Sequence, residues 1–107
     1  MGPGEWSAGD ATKKINRCAQ DDALALSWTD HVRDQMADRD LTMGDVRHVL
    51  KRGFVLAPPR PATRPGFFRY LIESTTPNSD GRKVGVVVIP DGKAQLKLVT
   101  VMWRDEL

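Results

Sequence analysis

The segment Val84-Gly85-Val86-Val87-Val88-Ile89 carries no charge in either of its alternating sets, Val84/Val86/Val88 or Gly85/Val87/Ile89. In an extended chain those two sets point to opposite faces, so this strand has to be covered on both sides and belongs inside a sheet. The rest of the chain must supply the covers. A chain of 107 residues has room for one core, and its apolar fraction of 40% and charged fraction of 28% are those of an ordinary globular protein.

Three further extended segments are expected around it. Phe54-Val55-Leu56 reads as a short strand, Phe67 to Ser74 as a longer one, and Gln95 to Trp103 as the last, with the central strand over Lys83 to Ile89. A long polar turn through Pro77-Asn78-Ser79-Asp80-Gly81 and a tight one at Pro90-Asp91-Gly92-Lys93 join the last three into consecutive hairpins, hence an antiparallel meander. In the last strand, strict alternation puts Lys97 with Val99, Val101 and Trp103, and Leu96 with Leu98, Thr100 and Met102. Pro58, Pro59, Pro61 and Pro65 remove donors and fix φ, so Ala57 to Gly66 reads as a loop or extended arm.

The first half of the chain has helical spacing. A first helix is expected over Asp10 to Gln20, capped by Asp10, with Ala11, Ile15, Cys18 and Ala19 as its apolar stripe. Ala23 to Leu26 reads as a connector. A second helix is expected from Ser27 to Arg39-Asp40, with Trp28, Val32 and Met36 facing the core. The third has the clearest start: Thr42 as cap, Asp45 three residues on, and Leu41 placed to staple onto Val46. Val46, Val49 and Leu50 are its buried stripe, and Gly53 is expected in a left-handed C-cap. One sheet face would then be covered by the second and third helices, and the other by the first helix, the Pro-rich arm or a second subunit.

Composition bounds the function only loosely. A net charge of +2 gives no dominant attraction to phosphate or to a membrane surface, although ten Arg against six Lys favours forked contacts to phosphate or carboxylate. High-GC codon usage produces the same bias. The lone Cys18 forms no internal disulfide and fits a reducing cytoplasm. Two histidines, without CxxC or HExxH spacing, leave no expected metal site or cofactor. Residues 1–9 carry no signal-peptide pattern and are expected to be flexible, ahead of a single α+β domain over 10–107, and no apolar run approaches a membrane span.

The ordered segments HVRDQMADRDL, TMGDVRHVLKRGFV, RYLIE, VGVVVI and LVTVMW together resemble domain of unknown function family 4258 over roughly Ala11 to Arg104. His31, Met36, Arg39, Leu41, Asp45, Val46, Val49, Leu50 and Gly53 carry the resemblance; Gln35 stands where similar proteins commonly have arginine. The resemblance implies a fold similar to the RelE/BrnT-type bacterial toxins, small α+β proteins of which several cleave RNA. It makes RNA and an antitoxin-like protein the expected partners.

A metal-independent ribonuclease needs a general base, a cation for the phosphorane and an acid for the leaving oxygen. His31, Gln35 and Arg39 form a polar stripe at helical spacing. His31 suits proton transfer and Arg39 with Arg69 suits a phosphate clamp, with Tyr70 or Glu73 as a further proton-transfer group. Because Arg69 and Tyr70 point to opposite faces of their strand, Arg69 ranks first. The competing reading has His31 bonded to a backbone carbonyl and Arg39 paired with Asp38, Asp40 or Glu73 to hold the helix on the sheet.

For RNA binding the candidate surface is Arg60, Arg64, Arg82, Lys97 and Arg104, with Trp103 or Phe67 for base stacking. Asp45, His48 and Arg52 read as a solvated helix face. The expected architecture is three helices followed by a four-stranded antiparallel meander, RelE-like, hosting an RNA-interacting protein or metal-independent endoribonuclease. The alternative is a non-enzymatic module that binds a partner protein or itself, as a homo-oligomer, with Trp103 at the interface.

Overall fold

In the computed structural model, which describes residues 4–91 and 94–106, the elements run α1 (Ala8–Ala19), β1 (Ala25–Ser27), α2 (Asp30–Asp38), α3 (Met43–Arg52), β2 (Phe54–Val55), β3 (Arg60–Pro61), β4 (Phe68–Ser74), β5 (Val84–Pro90), β6 (Gln95–Trp103) and a 3-10 turn (Arg104–Glu106). The fold is α+β. The sheet has six strands in the order β1-β6-β5-β4-β2, with β3 pairing β4 beside that path. Among the described residues no helix is long and apolar enough to cross a membrane.

This corrects the expected four-stranded antiparallel meander and the RelE-like arrangement built on it. The hairpins β4–β5 and β5–β6 are antiparallel, but β1 pairs parallel to β6, Ala25 to Ser27 opposite Gln95 to Lys97. In sequence, Ala23 to Leu26 reads as a connector because three residues carry no strand signature, and a parallel partner in the far half of the chain leaves no turn to mark it. β3 was hidden for a related reason. Pro58 and Pro59 break the ladder after Val55, and Arg60 and Pro61 then rejoin the same edge of β4, opposite Arg69 and Phe68.

Each helix is capped by a hydroxyl. Ser7, Thr29 and Thr42 accept from the N–H groups of Asp10, Val32 and Asp45. The first two helices therefore start at other residues than the expected Asp10 and Ser27. Trp28 lies ahead of α2 and is 42% exposed, not in the core; Val32 is buried and Met36 half-buried. The third helix has the capping box as expected, and Leu41 and Val46 are both buried.

Gly53 does not take a left-handed conformation; its φ of −79° and ψ of 178° are extended. What it provides is close approach. A Cβ there would lie 2.5 Å from the Val49 carbonyl oxygen and 2.9 Å from that of Glu73, so only glycine lets the end of α3 press against β4.

One core holds the molecule. Ala11, Ile15 and Ala19 of α1, Val32 of α2, and Val46, Val49 and Leu50 of α3 pack with Tyr70, Ile72, Val84, Val86, Val88, Leu96, Leu98 and Val101 of the sheet. All three helices thus share one side, and α1 is not the cover of the other. Thr12 and Asn16 of α1 also tie the sheet edge: the Thr12 hydroxyl accepts from Val55 N–H at 2.8 Å, and the Asn16 amide donates to the carbonyls of Leu50 and Gly53.

The last strand departs from simple alternation. Its register shifts between Val87, opposite Thr100, and Val88, opposite Leu98, so Val99 is an extra residue, a β-bulge. The bulge rephases the strand: Leu96, Leu98, Val101 and Trp103 lie on the helix side, and Lys97, Thr100 and Met102 on the other. That replaces the expected grouping. β1 ends opposite Lys97, and beyond it α2 lies along β6, where the Gln35 side-chain oxygen accepts from Val101 N–H at 3.1 Å. The tight turn expected at 90–93 falls in part on Gly92 and Lys93, outside the described residues.

Candidate functional site

The sheet face away from the helices carries Arg69, Leu71 and Glu73 of β4, Gly85, Val87 and Ile89 of β5, and Lys97, Thr100 and Met102 of β6. Its two ends differ in character. At the end near Val84 the cations are consumed by local carboxylates. Arg104 lies across Gly85 and pairs with Glu73, which is buried and also faces Lys83 at 3.8 Å. At the same end of the sheet, Arg82 forks onto Asp105 at 2.8 and 3.0 Å and lies 4.1 Å over the ring of Trp103, a helix-side residue. Trp103 itself is half-buried against the core.

Five residues along β5, about 17 Å at the usual strand rise, the other end opens into a cleft of about 540 Å³. Ile89, Val99, Ala62 and Phe67 give it an apolar floor; Arg64, Arg69 and Lys97 give it three cations, Asp91 one carboxylate, and Thr29 and Thr63 two hydroxyls. The cations come from three separate elements, the Pro-rich arm, β4 and β6. Arg60 stands directly across from Arg69 in the β3–β4 pair, on the same face. Among the described residues no carboxylate lies within 4.0 Å of Arg60, Arg69 or Lys97, and Arg64 approaches Asp91 only to 3.9 Å.

Of the residues singled out for RNA binding, Arg64 and Lys97 line this cleft and Arg60 adjoins it, while Arg82 and Arg104 lie at the far end. Of those singled out for catalysis, Arg69 lines the cleft, but His31 and Arg39 do not. His31 is exposed in the first turn of α2, two residues beyond the cleft residue Thr29. Arg39, at the other end of α2, forks onto Glu106, with Nε to Oε1 and Nη2 to Oε2 both 2.8 Å, and donates to the Gln35 carbonyl. Glu106 in turn accepts from Trp103 N–H at 2.9 Å. The hydrogen bond to Arg39 comes first in holding the Glu106 carboxyl below the usual glutamate range.

The other proton-transfer candidates have structural partners. Tyr70 is buried, stacks on Trp6 with ring centres 5.5 Å apart, and accepts from Trp6 N–H at 2.8 Å. Burial pushes its phenol upward despite that bond. Asp45 is buried, not on a solvated face: the Thr76 hydroxyl donates to it at 2.7 Å, and the N–H and hydroxyl of Thr42 each at 3.0 Å. Among the described residues no three His, Cys, Asp or Glu side chains form a metal-holding group.

Phe67 was legible as a stacking candidate, but Thr29, Thr63, Asp91 and Val99 were not. No short-range signal marks them. Thr29 reaches the cleft because β1 docks beside β6, and Val99 because of the bulge.

A family model described as Domain of unknown function (DUF4258) matches residues 28–103, most of the chain, running from just before α2 to the end of β6. No curated protein and no solved structure matches significantly.

Proposed function

The chain belongs to the DUF4258 domain family, and we propose that it binds single-stranded RNA, with phosphates on Arg60, Arg69 and Lys97 and bases against the apolar lining of the cleft, at whose mouth Arg64 stands. The observation that carries this reading is the convergence of Arg60, Arg69 and Lys97, cations from three elements with no carboxylate within 4.0 Å among the described residues, on one apolar-floored cleft. Like charges placed directly opposite each other across a strand pair, as Arg60 and Arg69 are, oppose folding, and a bound anion relieves that cost. A cationic groove over an apolar surface suits a single strand, whose bases are free to leave the stack. The hydroxyls of Thr29 and Thr63 on the same rim suit a ribose 2′-OH.

The test is RNA binding across a salt series. Three phosphate contacts give a slope of log affinity against log salt of about −2 for a single strand, and Arg69→Gln lowers its magnitude by about 0.7. An unchanged slope in that variant, or no binding by the wild type, removes the reading. Incubation with His31→Ala alongside separates binding from chemistry: cleavage present in the wild type and lost in that variant extends the reading to an endoribonuclease, and intact RNA confines it to binding.

A second reading, self-association or docking of a partner protein, draws on Phe54 and Leu56, which are 60% and 68% exposed at the β2 edge of the sheet. Phe54→Asp that turns a dimer into a monomer by light scattering supports it; a concentration-independent monomer counts against self-association.

A further inference from the structure

Resting on the RNA-binding reading, we propose that Arg64 on Phe67 is a stacking platform for one base, so that the site takes a base as well as phosphates. The guanidinium carbon of Arg64 lies 4.3 Å over the centre of the Phe67 ring, while Phe67 is only 5% exposed. The ring is therefore largely covered, with Arg64 over one of its faces. It serves as the underside of a layer whose upper surface is Arg64, with a side chain that remains 67% exposed.

A guanidinium is planar, and weakly hydrated compared with an ammonium, so it stacks on an aromatic ring from one side and can receive a base on the other. Asp91, 3.9 Å from Arg64 Nη1, restrains the group from its edge. Arg69 and Lys97 line the same cleft and take the neighbouring phosphates. The anchoring differs from that of Arg82, which lies at a similar distance over Trp103 but has a forked bond to Asp105. Arg82 is a tied structural pair, whereas Arg64 stands at the mouth of a cleft.

The experiment compares a short oligoadenylate with a ribose-phosphate oligomer of the same length lacking bases, each titrated against wild type, Arg64→Lys and Phe67→Leu at one salt concentration. Lysine keeps the charge and removes the plane; leucine keeps the charge and removes the support. Stacking of one base predicts that both variants lose roughly tenfold in affinity for oligoadenylate, and keep their affinity for the base-free oligomer within about twofold, because the phosphate contacts are unchanged. Circular dichroism confirms that each variant is folded, and two variants guard against either one failing to fold. Equal losses for both oligomers, or no loss for either, overturn the platform while leaving RNA binding standing. A wild type that binds neither oligomer overturns both proposals.

Discussion

Asp45 shows how one side chain joins two distant parts of the structure. Its carboxylate accepts from the Thr42 N–H, closing the box at the start of α3, and from the Thr76 hydroxyl in the β4–β5 connection. Burial pushes its pKa upward, but the bonds from Thr42 and Thr76, with His48 nearby, outweigh it and hold the pKa below the ordinary aspartate value. A carboxyl whose folded pKa is depressed adds stability that is fully present above its unfolded value, about 3.9, and is lost as pH falls through the folded one. Asp45→Asn should thus cost about 2 kcal/mol near neutrality, in line with hydrogen bonds to a charged group. The gap from wild type should close as urea unfolding is repeated below about pH 4; a gap that stays constant with pH would show that the charge is not what matters. The cap was legible from Thr42 and Asp45 alone. The bond to Thr76 was not, because it joins positions 31 apart with no local pattern.

At the scale of elements, the bulge at Val99 decides which residues reach the open face. It turns Val101 and Trp103 toward the helices and puts Lys97, Thr100 and Met102 on the opposite face, where Met102 is buried. Period-2 reading of the sequence finds the strand with its bounds correct but misassigns its second half, since one added residue inverts every later position. Short β1 and β3 escaped for a different reason: each is defined by its partner and not by its own residues. The bulged edge is closed by Gln35, whose side-chain oxygen takes the Val101 N–H where β1 no longer reaches. Gln35→Ala leaves that donor without its partner, so stability should fall by about 1 kcal/mol, and amide exchange should quicken at Val101 more than at Val86, in the interior strand. Equal exchange at Val101 in variant and wild type would mean that the edge is covered by other means.

For the whole molecule, three helices on one side of the sheet leave the other side to the Pro-rich arm, which covers only the end near Ile89 and Lys97. The result is a sheet with unlike ends: Arg82 and Arg104 balanced by Asp105 and Glu73 at one, Arg60, Arg64, Arg69 and Lys97 in excess at the other. Sequence alone displayed all six cations but not this division, because carboxylates such as Glu73 and Asp105 become partners only through the fold. The most direct measurement is amide chemical-shift mapping during titration with a short oligoadenylate. The account expects the shifts to gather at Thr29, at Thr63 to Arg69 and at Lys97 to Val99. Shifts centred on Arg82 and Arg104, or on Phe54 to Leu56, or none at saturating RNA, would contradict it.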